Sequence, residues 1–117
     1  MTKITQEALS QFYGSECLFS NPLFSKFSYT EGIKWLGDNG AGWLVTDILS
    51  LQGINDVKEQ EFQAWDLTVN KDGSGELICS DGNGNTVYTQ KLEYTDFPLP
   101  SIKLFFTNNV LMLTSEY

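Results

Sequence analysis

From residue 61 onward apolar and polar residues alternate, and turn-forming clusters break the alternation at 71–73, 81–85 and 108–109. A period of two marks half-buried strands, and the Gly, Asn and Asp at the breaks supply the left-handed backbone that hairpins need. Parity then fixes register. A three-residue loop Lys71–Asp72–Gly73, with Gly73 left-handed, sets Leu67 against Leu77 and Trp65 against Cys79. A type I′ turn at Asn83–Gly84 opposes Cys79 to Tyr88, with Leu92 and Tyr94 continuing that face. Pro98 and Pro100 lack the ladder donor and carry the chain in extended form to a last hairpin. There Asn108–Asn109 turns, opposing Phe106 to Leu111, Leu104 to Leu113 and Phe105 to Met112.

Before residue 55 the pattern is helical. Thr5 is placed to cap a helix over 5–13, with Ala8, Leu9 and Phe12 on one face and Gly14 as terminator. Residues 15–29, aromatic but irregular around Pro22, read as a folded-down loop. Thr30 is the N-cap of a second helix that ends near Asp38–Asn39–Gly40. In 41–52, Trp43, Leu44, Ile48 and Leu51 form one face, and Val45 and Leu49 widen it into a largely buried helix. Asp47, on that helix, either points to water or needs a partner. Residues 53–60 read as a polar loop. The expectation is a single α+β domain over 1–117, helical over about 1–55 and β over about 60–117. Its N-terminal helices pack on one face of an antiparallel, mostly meander sheet of about five strands, Trp35 and Trp43 meeting Trp65, Tyr88 and Tyr94.

Composition narrows the chemistry. The chain carries 15 Asp and Glu against 7 Lys, no Arg and no His, a formal charge of −8. Lacking His removes the commonest general base and metal ligand, and lacking Arg removes the fork that grips phosphate. Seven scattered lysines make no basic stripe, so direct nucleic-acid binding is not expected. Cys17 and Cys79 form no CxxC pair, and both are expected as reduced thiols in a cytoplasmic protein. No apolar run approaches the ~18 residues of a membrane span.

Motifs point to no cofactor, metal or catalytic group. Asp81, Asn83 and Asn85 open like a calcium loop, but Thr86 stands where Gly belongs and Leu92 where the bidentate Glu belongs. Gly37–Gly42 lacks the Lys and the preceding strand of a phosphate loop. The acidic residues Asp56, Glu59 and Glu61, with Asp81 and Asp96, are instead candidate contacts for a basic protein partner. In its concrete form that reading is a non-enzymatic acidic inhibitor occupying a partner's nucleic-acid-binding surface. The alternatives are a homodimer that buries the apolar hairpin 102–115, and a small-ligand-binding protein.

Several pieces together carry a resemblance: Gly14-Ser15-Glu16, Tyr29-Thr30-x-Gly32, the Trp43-Leu44 helix, Phe62-Gln63-x-Trp65-x-Leu67, Asp81-Gly82-Asn83-Gly84, Tyr94-Thr95-Asp96-Phe97-Pro98-Leu99 and Ser115-Glu116-Tyr117. The chain resembles an uncharacterised bacterial family of small single-domain proteins frequent in plasmid and mobile-element gene content. The resemblance implies an accessory role and no particular activity. Among its polar positions, Ser15, Glu16, Gln63, Asp96 and Glu116 either fix loops by hydrogen bonds to backbone or form a surface that a partner reads.

Overall fold

In the computed structural model, which describes residues 4–12, 18–20, 22–24 and 26–117, seven strands form one mixed sheet with helices. Helix α1 (Gln6–Leu9) is a single turn, shorter than the stripe over 5–13 suggests, and Thr5 caps it by accepting the Ala8 N–H at 3.1 Å. Strands β1 (Leu18–Phe19) and β2 (Ser28–Thr30) occupy the stretch that reads as a loop. Two- and three-residue strands are too short to display a period, so nothing in the residue pattern announces them. The positions of Gly14, Ser15, Glu16 and Cys17 lie outside the described residues.

Helix α2 (Glu31–Leu36) passes through a wide turn at Gly37–Ala41, where Gly40 takes φ +112°, into α3 (Gly42–Leu51). A short α4 (Asn55–Lys58) follows within the segment that reads as a polar loop. Its one buried side chain, Val57, is too little apolar surface to mark a helix from sequence. Then come β3 (Phe62–Val69), β4 (Gly75–Ser80), β5 (Thr86–Leu92), β6 (Ser101–Thr107) and β7 (Val110–Leu113).

The sheet order is β1-β2-β7-β6-β3-β4-β5. Strands β3, β4 and β5 form a meander, but the final hairpin pairs on the other flank of β3, and β2 adds to β7 in parallel through Ser28↔Val110 and Tyr29↔Leu111. The five-stranded antiparallel sheet is thus corrected to seven strands of mixed direction, because the N-terminal part contributes strands as well as helices.

Register matches parity at the first and last hairpins: Leu67↔Leu77, Trp65↔Cys79, Phe106↔Leu111 and Phe105↔Met112. Asn108 and Asn109 take φ of 54° and 62°, as a type I′ turn requires. The middle hairpin reaches Cys79↔Tyr88 by a different route. Positive φ falls on Gly82 and Gly84 rather than Asn83, and the Asp81 N–H donates to the Asn85 carbonyl at 3.1 Å, which leaves 82–84 as a three-residue loop. A bulge beside Cys79 and Ser80 absorbs the extra residue and restores the pairing.

Core residues on the strands share one parity. Trp65, Leu67, Leu77, Cys79, Leu104, Leu111 and Leu113 join Ile33, Leu36, Leu44, Ile48 and Leu49 of the helices in one buried cluster. Each such side chain removed from water stabilises the fold by about 1.5–3 kcal/mol. Tyr94 departs from the expected face: it is 75% exposed, beyond the end of β5.

Candidate functional site

Alternation leaves the opposite parity on an outer face turned away from that core. In β3 these are Phe62, Ala64, Asp66 and Thr68; in β6 and β7 they include Lys103, Phe105 and Met112. At one end of this face three rings meet. Phe62 and Phe105 lie 5.0 Å apart between centroids, and Tyr117 stands edge-on to both at 5.5 and 5.3 Å. Such packing favours the cluster beyond its buried area, yet Tyr117 remains 73% exposed. Toward the other end the face turns polar, with Asp66 and Lys103 opposed at 3.7 Å.

The aromatic end adjoins acidic groups. Glu61 precedes Phe62 directly, and Gly82, next to Asp81, lies so close to the Phe62 ring that a Cβ there would stand 2.8 Å from Cδ1. Asp56 and Glu59 are exposed on and just after α4, which packs beside β5. Glu61 and Asp81 therefore lie at the end of the sheet where β3 starts and β4 finishes, while Asp56 and Glu59 ride with α4, which the Gln63 amide holds on the core side of β3 through the Val57 carbonyl. Asp96 does not join them: Thr95 N–H donates to the Gly73 carbonyl at 2.7 Å, which places it at the far end, beside the β3–β4 turn.

Asp81 already has structural work. Its carboxylate accepts the Asn83 and Asn85 N–H groups at 2.8 and 3.2 Å and the Asn85 side-chain amide at 2.8 Å. The Asn85 side chain, then the backbone donors, hold its pKa below the usual carboxylate range. This is a turn-closing carboxylate; among the described residues no three His, Cys, Asp or Glu side chains gather.

Beneath the acidic end lies a cleft of about 770 Å³ between Lys26, Phe27, the end of α3, the start of β3 and the β6–β7 turn. Two buried amides form part of its wall. Gln52 Nε2 donates to Gln63 Oε1 at 2.8 Å, and Gln63 Nε2 donates back to Gln52 Oε1 at 2.9 Å. Gln63 Nε2 also donates to the Val57 carbonyl, and Gln63 Oε1 accepts the Trp65 indole N–H, both at 2.8 Å. Gln63 is thus a structural hub that orients Trp65 and anchors α4. Glu116 is another: its carboxylate accepts Thr30 Oγ1–H, Gly32 N–H and Leu113 N–H.

Two further ionisable groups lie in or near the core. Asp47, half-buried on α3, finds the partner its helix demands in the Gln90 side chain; burial raises its pKa and that hydrogen bond opposes the rise. Cys79 is a free thiol, fully buried, and desolvation pushes its pKa up to about 12, which suppresses the thiolate that reactivity requires. Sequence reasoning missed the cleft lysines, Lys26 and Lys58, and the Tyr117 cluster. The signal for the cluster was available in the parity that puts Phe62 and Phe105 on one face.

These features define a small α+β domain whose sheet buries one face and offers an aromatic, acid-flanked end on the other. The chain belongs to the family of unknown function DUF6876, which matches residues 3–117. No curated protein and no solved structure matches it. Among the described residues no helix is long and apolar enough to cross a membrane.

Proposed function

We propose that this protein is a non-enzymatic binding module that engages a basic protein partner through the Phe62–Phe105–Tyr117 cluster and the carboxylates beside it. The observation that carries the reading is the mutual packing of three rings at 5.0–5.5 Å with Tyr117 left 73% exposed, next to Glu61 and Asp81. Aromatic side chains flanked by charge make interface anchors, and a chain of net −8 steers toward positive surfaces. In its specific form the partner's surface is one that otherwise holds nucleic acid, with Asp56, Glu59 and Glu61 standing in for phosphates. A bacterial, cytoplasmic, mobile-element setting would suit such an inhibitor.

The test is retention of one basic protein from nuclease-treated host lysate at low salt, using wild type, Tyr117→Ala and the triple variant Asp56→Asn, Glu59→Gln, Glu61→Gln. Loss of the same partner in both variants, and at high salt, is expected. Retention indifferent to salt and to both variants would overturn the reading. A second reading, a homodimer, draws on the outer side of the last hairpin, where Phe105 and Met112 are only half-buried. Sedimentation separates the two: a micromolar dimer weakened by Tyr117→Ala favours the homodimer.

A further inference from the structure

The cleft beneath the acidic end reverses the charge of its surroundings. Its ionisable lining is Lys26, Lys58 and Glu61, a balance of 2 − 1 = +1 in a chain whose formal charge is −8. Of the lysines outside the cleft, Lys34 pairs with Asp38 at 2.8 Å and Lys103 with Asp66 at 3.7 Å, while Lys71 and Lys91 have no ion pair among the described residues. Among the described residues neither Lys26 nor Lys58 has an ion-pair partner. Both are exposed at the mouth of a concavity of about 770 Å³, inside the usual range of small-molecule sites.

The wall is built rather than incidental. Gln63 is 1% exposed and Gln52 4%, and their reciprocal amide bonds, with those to Val57 and Trp65, use both Gln63 amide groups. A saturated, immobile wall adds no competing donor and costs no ordering when a ligand arrives. Phe27 and Phe106 supply an apolar side, their rings edge-on at 5.6 Å. On the opposite lip the type I′ turn holds Asn108 and Asn109 at positive φ, with no side-chain hydrogen bond among the described residues, so both amides are available as donors.

We infer that this cleft binds a small organic anion, a carboxylate or a phosphate monoester on an aromatic body, with the charge between Lys26 and Lys58 and the ring against Phe27. Glu61 borders both this cleft and the Tyr117 surface, but the cleft's cations and rings take no part in that surface, so Lys26→Gln and Lys58→Gln test the cleft and Tyr117→Ala tests the surface.

The experiment is a two-dimensional NMR titration of the full chain with phenyl phosphate, benzoate, inorganic phosphate and neutral benzyl alcohol. Saturable shifts of the Gln52, Gln63, Asn108 and Asn109 amides are expected with phenyl phosphate or benzoate, and the stronger of the two identifies the head group. Inorganic phosphate should bind more weakly for want of the ring, and benzyl alcohol not measurably. Lys26→Gln and Lys58→Gln, both exposed and neutral to folding, should each weaken binding by up to about fivefold, while Lys71→Gln on the β3–β4 turn leaves it unchanged. Absence of saturable shifts with every anion would overturn the inference. So would binding that the Lys26→Gln, Lys58→Gln double variant leaves intact, or that benzyl alcohol reproduces.

Discussion

Glu116 accepts the Thr30 hydroxyl at 2.6 Å across 86 positions of sequence, and the same carboxylate takes the Gly32 N–H in the first turn of α2 at 3.2 Å. Thr30 occupies the N-cap position yet makes no side-chain cap of its own, so the helix borrows its cap from the other end of the domain. Leu113 N–H joins at 3.1 Å.

Removing that carboxylate by Glu116→Ala leaves two N–H groups without their partner and should lower stability by about 1–3 kcal/mol. Gly32→Ala should act on the same contact, since a Cβ there would stand 2.5 Å from Glu116 Oε1 and from Leu113 Cδ1. Urea unfolding of both single variants and the double variant checks this. The losses should fall well short of additivity, and strict additivity would mean that the two residues do not share one contact.

The amide pair makes a second, graded expectation. Gln63→Leu strands the Trp65 indole N–H and the Gln52 Oε1 and takes one of its two donors from the Val57 carbonyl, whereas Gln52→Leu leaves Gln63 two of its partners. Unfolding should show a loss of about 2–4 kcal/mol for the first and about 1–2 kcal/mol for the second. Equal losses would contradict the hub role of Gln63.

How far the residues foretold this arrangement depends on sequence distance and element length. Hairpin registers were legible, because turn chemistry and a period of two act over a few residues. Leu67↔Leu77 and Phe105↔Met112 follow from counting alone. The pairing Cys79↔Tyr88 was legible by compensation, one extra loop residue offset by one bulge residue. Strands β1 and β2 were not, since their place is set by docking on β7 and not by any local pattern. At the candidate site, the gathering of Glu61 with Asp81 comes from strand pairing, while Asp96 is carried away by a crossover whose direction no residue specifies. Gln63 and Glu116 stood out as polar residues that either fix backbone or face a partner; both bond backbone, Gln63 at the Val57 carbonyl and Glu116 at the Gly32 and Leu113 N–H groups, but sequence did not name these partners.

Asp47 gives a pH dependence of definite sign. Its folded-state pKa lies above the unfolded value because burial disfavours the charge. Its stabilising contribution is therefore complete below the unfolded pKa, about 3.9, and disappears as pH rises through the folded value. At neutral pH the ionised carboxylate is a small liability. Asp47→Asn keeps the shape and a bond to Gln90, and should raise stability at pH 7 by about a few tenths of a kcal/mol after solvent screening. The gain should vanish near pH 3 in paired denaturation curves; a gain that persists there would contradict the assignment.

Cys79 should behave as a reporter of unfolding. In a Cys17→Ser background, an aromatic disulfide reagent at pH 8 should label Cys79 only as fast as the protein opens, because the thiol is both buried and pushed up to about 12. Labelling in native buffer at the rate of a free thiol would show that the site is open.

The parallel pairing of β2 with β7 also sets an order of assembly. The β3–β4–β5 meander and the β6–β7 hairpin close over short loops and can form as soon as each has been synthesised. Residues 28–36, although made earlier and flanked by β1 on one side, lack their parallel neighbour β7 and their helix cap until residues 110–116 have left the ribosome. The N-terminal third must wait, its apolar residues unsheltered, for a segment emerging about 80 residues behind it. This makes vectorial synthesis the interval in which the chain is most open to proteases and to non-native association.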